Sequence, residues 1–167
     1  MGSLKGLKGD IFEGGHRIPL IISWPGKSLQ NLRCDQQICL VDLFGLVGQI
    51  IDQNIPKSAL DSYGFLPLVT QEKPSFKRPE PIINYAGGVY AVQNYDGWKY
   101  IHENQLGGGI YSWKGYGIVA DPVGPVPGSD GLLYNLTNDL SEKENLFEQK
   151  PDKVKELAKI IEQVISK

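Results

Sequence analysis

The sequence predicts an α/β (α+β) fold in which an antiparallel sheet of about four strands is packed by a C-terminal helix. Three observations carry this expectation. The hydrophobic pattern between residues 82 and 102 has period two. Asp96-Gly97, a strong hairpin signal, interrupts it. An amphipathic segment with helical period closes the chain, and such a helix after antiparallel strands implies a sheet with one face covered.

Element by element, residues 17–24 (RIPLIISW) form a short apolar run between a Gly-Gly pair and Pro25-Gly26. Its length and isoleucine content predict a buried strand. Residues 26–37 are polar and irregular, as expected of a surface connection. From Leu40 to Gln53, the residues Leu40, Leu43, Phe44, Val47, Ile50 and Ile51 recur at spacings of three and four, which predicts an amphipathic helix. Gly45 and Gly48 each weaken it by ~1 kcal/mol relative to alanine, so packing must hold it, and Pro56 stops it. Residues 70–81 contain three prolines and five charged side chains and are expected to separate two structural units.

Beyond that boundary, strands are expected at 82–86, 89–93 and 98–102, with turns at Gly87-Gly88 and at residues 94–97. Residues 105–131 are rich in glycine and proline, so a loop is expected there, with at most a short strand near 117–120. Residues 132–136 make the last strand. Pro151 suits a first helical position, and Asp152 suits the positive end of a helix. Val154, Leu157, Ala158, Ile161, Val164 and Ile165 then form one apolar stripe.

The 167 residues are enough to bury roughly 70% of the unfolded surface without a disulfide or a metal. A net charge of −2 argues against nucleic acid as a partner, because phosphate binding needs a basic excess. No apolar run approaches the ~20 residues that span a bilayer, so no membrane partner is expected, and the start lacks the apolar core of a signal peptide. Cys34 and Cys39 read as unlinked thiols, with a local disulfide as the alternative. Asn135-Leu136-Thr137 fits a glycosylation sequon. No catalytic triad, metal-ligand spacing or phosphate-binding glycine motif is present. Trp98, Trp113 and the tyrosines suit a sugar-stacking platform or, more ordinarily, a core. His16 and His102 read as structural or surface residues.

Lys5 and Lys8, lying among glycines, are by composition ordinary solvated loop charges. The whole motif reverses that reading. Lys8-Gly9, Glu13-Gly14-Gly15, Arg17, Pro19 and Trp24-Pro25-Gly26 closely resemble the C-terminal signature of the sulfatases, arylsulfatase-like members of the alkaline phosphatase superfamily. Further segments follow in the family's order. Cys34 to Phe44 is similar to the stretch that leads into an Asp-Leu-Phe-Pro-Thr helix. Leu60 to Leu68 resembles an Asp-Gly-x-Ser-x-x-Pro-Leu loop. Ala91-Val92-Gln93 with Asp96-Gly97-Trp98-Lys99 resembles an Ala-Ile-Arg…Gly-x-Trp-Lys hairpin. Leu133-Tyr134-Asn135-Leu136 with Asp139, Glu142 and Asn145-Leu146 resembles the family's ending. Gly45-Leu46, Gln93 and Leu140 depart from these patterns.

The resemblance implies the C-terminal part of a sulfatase, in which residues 1–72 form the C-terminal edge of the catalytic α/β domain. Residues 73–167 would form the antiparallel-sheet subdomain with its closing helix. It implies sulfate-ester hydrolysis by the parent protein, and Lys8 is the catalytic residue that carries over. A sulfate ester bears fixed negative charge and gains more on its leaving oxygen as the bond breaks, and an ammonium stabilises both states. Glu13 and Arg17 are expected to be a structural pair holding the loop, with Gly6, Gly9, Gly14 and Gly15 letting it turn.

The family's calcium ion and formylglycine are not expected of this chain, which has no Cys/Ser-x-Pro/Ala-x-Arg motif, so the chain alone is expected to be inactive. The partners implied are the N-terminal part of a sulfatase and, for the parent, a sulfated small molecule or carbohydrate. Self-association through the edge of the 17–24 strand is also expected. Family members are often periplasmic, secreted or lysosomal. Two rival readings remain, a phosphatase or phosphonate-ester hydrolase of the same superfamily and a stand-alone carbohydrate-binding or interaction module.

Overall fold

The computed structural model describes residues 4–6, 8–56, 58–59, 61–72, 74, 76–86, 89–102 and 131–166. The chain forms two compact units, residues 19–80 and residues 1–18 together with 81–167. The second break lies at the end of the expected proline-rich boundary.

The larger unit is a meander of four antiparallel strands, β1 (Ile82–Ala86), β2 (Val89–Gln93), β3 (Trp98–His102) and β4 (Gly131–Asn135), in the order β1-β2-β3-β4. The turn at 94–97 forms as expected. Asn94 N–H donates to the Trp98 carbonyl, Trp98 N–H donates to Asn94 Oδ1, and Gly97 takes a φ of +80° that a side chain would strain. The register aligns Ala91 with Ile101 and Leu132 on one face, and Val92 with Tyr100 and Leu133 on the other.

Helix α4 (Pro151–Ile165) covers the Val92 face, burying Leu157 and Ile161 completely against Tyr100 and Leu133. Each of these side chains contributes ~1.5–3 kcal/mol by leaving water. Trp98, partly buried, packs against the same cluster. The opposite face is not open. Ile11 and Phe12 cover it, packing with Val89, Ala91, Ile101 and Tyr134, so a strap from the start of the chain completes the layer.

In the smaller unit, two expectations are corrected. Residues 17–24 form no ladder, and Ile21 is 90% exposed. Among the described residues, no strand pairs with this segment, and an apolar run alone makes no sheet. The expected helix at 40–53 forms as α2 (Asp42–Ile50), but its apolar stripe faces outward except at Leu43, which packs against the core of this unit. Leu40, Phe44, Val47 and Ile51 are exposed, while Asp42, Gly45 and Leu46 are buried. Gly45 is required here, because a Cβ would collide with the backbone of Tyr63 and Gly64. A short helix α3 (Leu66–Thr70), unforeseen from the pattern, packs Leu68 and Val69 against Leu46 and Phe65.

Arg78, in the proline-rich boundary, is buried rather than solvated, paired with Asp42 at 3.1 Å. Cys34 and Cys39 are free. The expected turn at 87–88, the strand near 117–120 and Trp113 lie outside the described residues.

Candidate functional site

The strap that covers the sheet also carries the signature residues. Glu13–His16 form a single helical turn, α1. Gly14 and Gly15 lie directly on the backbone of the preceding loop, so that a Cβ on Gly15 would overlap the Asp10 carbonyl and one on Gly14 that of Gly6. Gly14 N–H donates to the Lys5 carbonyl at 2.7 Å. The glycine pair thus serves close packing, while positive φ falls on Gly6 (+83°) and Gly9 (+98°), on either side of Lys8.

Beneath the strap lies a buried ionic cluster. Lys99, on β3, has 0% exposure and reaches Glu13 Oε1 at 3.0 Å and Glu142 Oε1 at 2.9 Å. The second contact has an ion-pair distance but not the geometry of a hydrogen bond. Glu142 Oε2 accepts the Glu13 backbone N–H at 2.7 Å. Lys5 donates to Tyr134 Oη at 3.2 Å and to the Glu142 carbonyl at 3.3 Å, and lies 4.2 Å from the centre of the Phe12 ring. On the outer side of Glu13, His16 Nε2 stands 3.3 Å and the Arg17 guanidinium 3.5 Å from its carboxylate. Asn84 lies 3.5 Å from His16.

These surroundings set opposite behaviour in the two carboxyls. Burial opposes ionisation of Glu13, but the His16 hydrogen bond and the charge and hydrogen bond of Lys99 outweigh it and hold its pKa to about 2. For Glu142 burial wins over Lys99, and its pKa is raised. Burial likewise lowers the Lys5 pKa and raises that of Tyr134.

A depressed carboxyl contributes stability above its unfolded value, near 4.5, and loses it as pH falls toward about 2. A raised carboxyl has the opposite sign, with stability present below 4.5 and lost as pH rises through its folded value. Urea unfolding followed by tryptophan fluorescence is therefore expected to show stability falling between pH 4.5 and about 2. Glu13→Gln should remove most of that fall. An unchanged acid limb in Glu13→Gln would contradict the assignment.

Lys8 itself stands exposed on the turn between the two positive-φ glycines, with no hydrogen bond or ion pair to any other described residue. The structure therefore brings Glu13, Arg17 and His16 together and leaves Lys8 as a cation at the tip of an anchored loop. The Glu13–Arg17 pairing expected from the motif is present. Reasoning from sequence missed Lys99 and Glu142 as its buried partners. The signal was available, since Lys99 and Glu142 sit in the hairpin and ending that resemble the family. His102 Nδ1 lies 3.1 Å from Tyr100 Oη. Among the described residues no three His, Cys, Asp or Glu side chains group to hold a metal ion. No described helix is long and apolar enough to cross a membrane.

A mixed fold with a four-stranded antiparallel sheet, its closing helix and this strap is that of the C-terminal part of a sulfatase, as comparison with known proteins bears out. No family model matches the chain. It is 29% identical over 167 residues to an N-acetylgalactosamine-6-O-sulfatase of Bacteroides thetaiotaomicron, covering 98% of this chain and 30% of that protein. It is 26% identical over 159 residues to arylsulfatase K of Danio rerio, covering 95% of this chain and 27% of that protein.

A solved structure from work on the metabolism of multiple glycosaminoglycans by Bacteroides thetaiotaomicron superposes with a TM-score of 0.72 at 28% identity. It spans 100% of this chain and 33% of its own. The crystal structure of Ps i-CgsB, at 20% identity and a TM-score of 0.67 over 96% of this chain and 31% of that one, shares the fold. The resemblance to sulfatases thus runs along nearly the whole chain, which spans about 30% of the length of the curated relatives.

Proposed function

We propose that this chain works as the C-terminal part of a sulfuric ester hydrolase and contributes Lys8 as the cation that meets the substrate sulfate. Residues 1–72 would belong to the edge of the catalytic α/β domain and residues 73–167 to the sheet subdomain. The observation that carries the reading is the likeness to an N-acetylgalactosamine-6-O-sulfatase over 98% of the chain. That likeness includes the strap on which Lys8 stands exposed between two positive-φ glycines.

Chemically, the Lys8 ammonium neutralises the sulfate in the ground state and the charge that develops on the leaving oxygen. An electrostatic contact of this kind is worth ~10²–10³ in turnover. The strap's role is to hold that charge in place. Glu13 is fixed from below by Lys99 and Glu142, and Gly14 and Gly15 tie α1 to the loop that bears Lys8. The nucleophile and metal donors come from outside this chain, which is inactive alone. The substrate class is a sulfated carbohydrate or small molecule, and the name of the Bacteroides relative favours a sulfated amino sugar.

The test is a chimera in which this chain replaces the matched 30% of the Bacteroides sulfatase. Release of sulfate from a sulfated sugar and from an aryl sulfate is expected, with turnover reduced ~10²–10³-fold by Lys8→Ala. Undiminished turnover in Lys8→Ala would overturn the role of Lys8. Turnover of aryl phosphate in place of sulfate would move the chain to the phosphatase reading.

A further inference from the structure

Of the strand aromatics, Tyr100 and Tyr134 are buried and Trp98 packs against the core, but Tyr85 is 63% exposed. It lies on β1, the outermost strand on its side of the sheet. The register pairs it directly with Tyr90 of β2, and the two rings stand 4.7 Å apart at 48°. Ala91 pairs with Ile101, so one step further along Tyr90 lies opposite His102, which in turn pairs with Gly131. Tyr85, Tyr90 and His102 therefore form a row of three rings across the sheet, on the face that carries Val92 and Tyr100.

The row is anchored from within. Tyr90 is half-buried and packs against the core beneath α4. The His102 ring stands edge-on to buried Tyr100, with centres 5.9 Å apart and Nδ1 3.1 Å from Tyr100 Oη. Tyr85 leans on Tyr90 and leaves most of its ring in solvent. Among the described residues, neither tyrosine hydroxyl has a hydrogen-bond partner. The row contains no Lys, Arg, Asp or Glu. It thus offers an apolar ring with polar tips, already placed by its neighbours, so that little ordering remains to be done when a ligand arrives.

We propose that Tyr85, backed by Tyr90 and His102, is a stacking platform for a sugar ring of a glycan chain. The inference rests on the sulfatase reading and deepens it, by making a polymeric carbohydrate the substrate class in place of a small sulfate ester. A pyranose presents an apolar C–H face and a rim of hydroxyls. The face stacks on Tyr85, and the rim reaches the two tyrosine hydroxyls. With no charge in the row, what is recognised is the ring and not its sulfate. The size of the surface selects this occupant. One tyrosine buries ~150–250 Å², which suits a single sugar, whereas a stable protein partner takes ~800 Å² from each side. The row and the strap occupy opposite faces of the sheet. A sugar on Tyr85 and a sulfate at Lys8 are therefore held at separate points of one glycan, and such a second grip raises the local concentration of the polymer.

Calorimetric titration of the chain with an octasaccharide of 6-sulfated chondroitin, and with the same octasaccharide stripped of sulfate, tests this. Both are expected to bind, with affinities within about threefold of each other and little changed between ~0.05 and ~0.3 M salt. Tyr85→Ala should weaken both about tenfold, and Tyr85→Phe, which keeps the ring, should stay within about threefold of the parent. Nuclear magnetic resonance on the unmutated chain gives a second readout, in which the ring protons of Tyr85 and Tyr90 shift on titration. Absence of binding, or unchanged affinity in Tyr85→Ala, would overturn the proposal. Binding of the sulfated form alone, lost as salt rises, would make this a sulfate site and overturn it too. A dimer that dissociates in Tyr85→Ala would make a second copy the occupant, against the proposal. If Tyr85→Ala does not fold, the ring protons decide: shifted signals support the platform and unshifted ones overturn it. Glycan binding through Tyr85 beside a chimera that releases no sulfate defeats only the hydrolase reading. Sulfate release that depends on Lys8, with no glycan bound at Tyr85, defeats only the platform.

Discussion

Lys99→Met is expected to destabilise the sheet unit by about 3–5 kcal/mol, the usual result of removing one partner from a buried ion pair. Lys99 has 0% exposure and lies within 3.0 Å of both Glu13 and Glu142. With methionine in its place, two carboxylates face each other in a dry site, with no cation between them. A total folding stability of ~5–15 kcal/mol leaves little margin for such a loss.

Urea unfolding at neutral pH measures it. The triple replacement Glu13→Gln, Lys99→Met and Glu142→Gln should recover most of the loss, because it removes the stranded charges while keeping an oxygen to accept the Glu13 N–H. A loss below ~1 kcal/mol for Lys99→Met, the size of an exposed pair, would mean that the cluster is hydrated and does not hold the strap.

Asp42→Ala is the second large effect, and it acts in the other unit. The Asp42 carboxylate accepts Cys39 N–H at 2.7 Å, Tyr63 N–H at 2.9 Å and Arg78 Nε at 3.1 Å, and is itself 0% exposed. Arg78 also donates to the Asp61 carbonyl at 2.9 Å and to that of Glu80, and its guanidinium lies 4.8 Å from the centre of the Tyr63 ring. Removing the carboxylate leaves a buried guanidinium and two orphaned amides, at a cost of about 3–5 kcal/mol. Hydrogen exchange should accelerate in residues 39–46 and 61–63 while β2 and β3 keep their protection. Asp42→Asn, which still accepts hydrogen bonds but carries no charge, should lose less. Equal losses for the two variants would show that the Arg78 charge is met by something other than Asp42.

Much of the sheet unit could be read from residue order, because its information is local. Alternation over five residues gives β1 to β3, Asp96-Gly97 gives the turn, and the stripe from Val154 to Ile161 gives α4. The smaller unit resisted for a physical reason. Periodicity reports that a surface is apolar, not that this chain covers it. Most of the run at 17–24, expected to be a buried strand, and most of the stripe of α2, expected to be held by packing, are therefore exposed, with only Trp24 and Leu43 packed against the core of that unit. The long-range contacts had no local signal either. Nothing near Lys99 in the chain says that a strand lysine, flanked by Trp98 and Tyr100, pairs with Glu13 and Glu142. Only the family wording joined those positions, and it marked Glu13 and Arg17 as a pair without supplying the cation beneath them. Lys8 was singled out from the motif alone, and it stands exposed between two glycines of positive φ.

The strap sets an order on the folding of the chain. Its seat needs Tyr134 and Glu142, 129 and 137 residues downstream of Lys5, so during synthesis the strap must wait until the last strand and the turn beyond it have left the ribosome. Closing so long a loop is entropically costly and slow compared with local turns. The loop that bears Lys8 is therefore among the last parts to acquire its shape, and a nascent or C-terminally shortened chain would present it unformed.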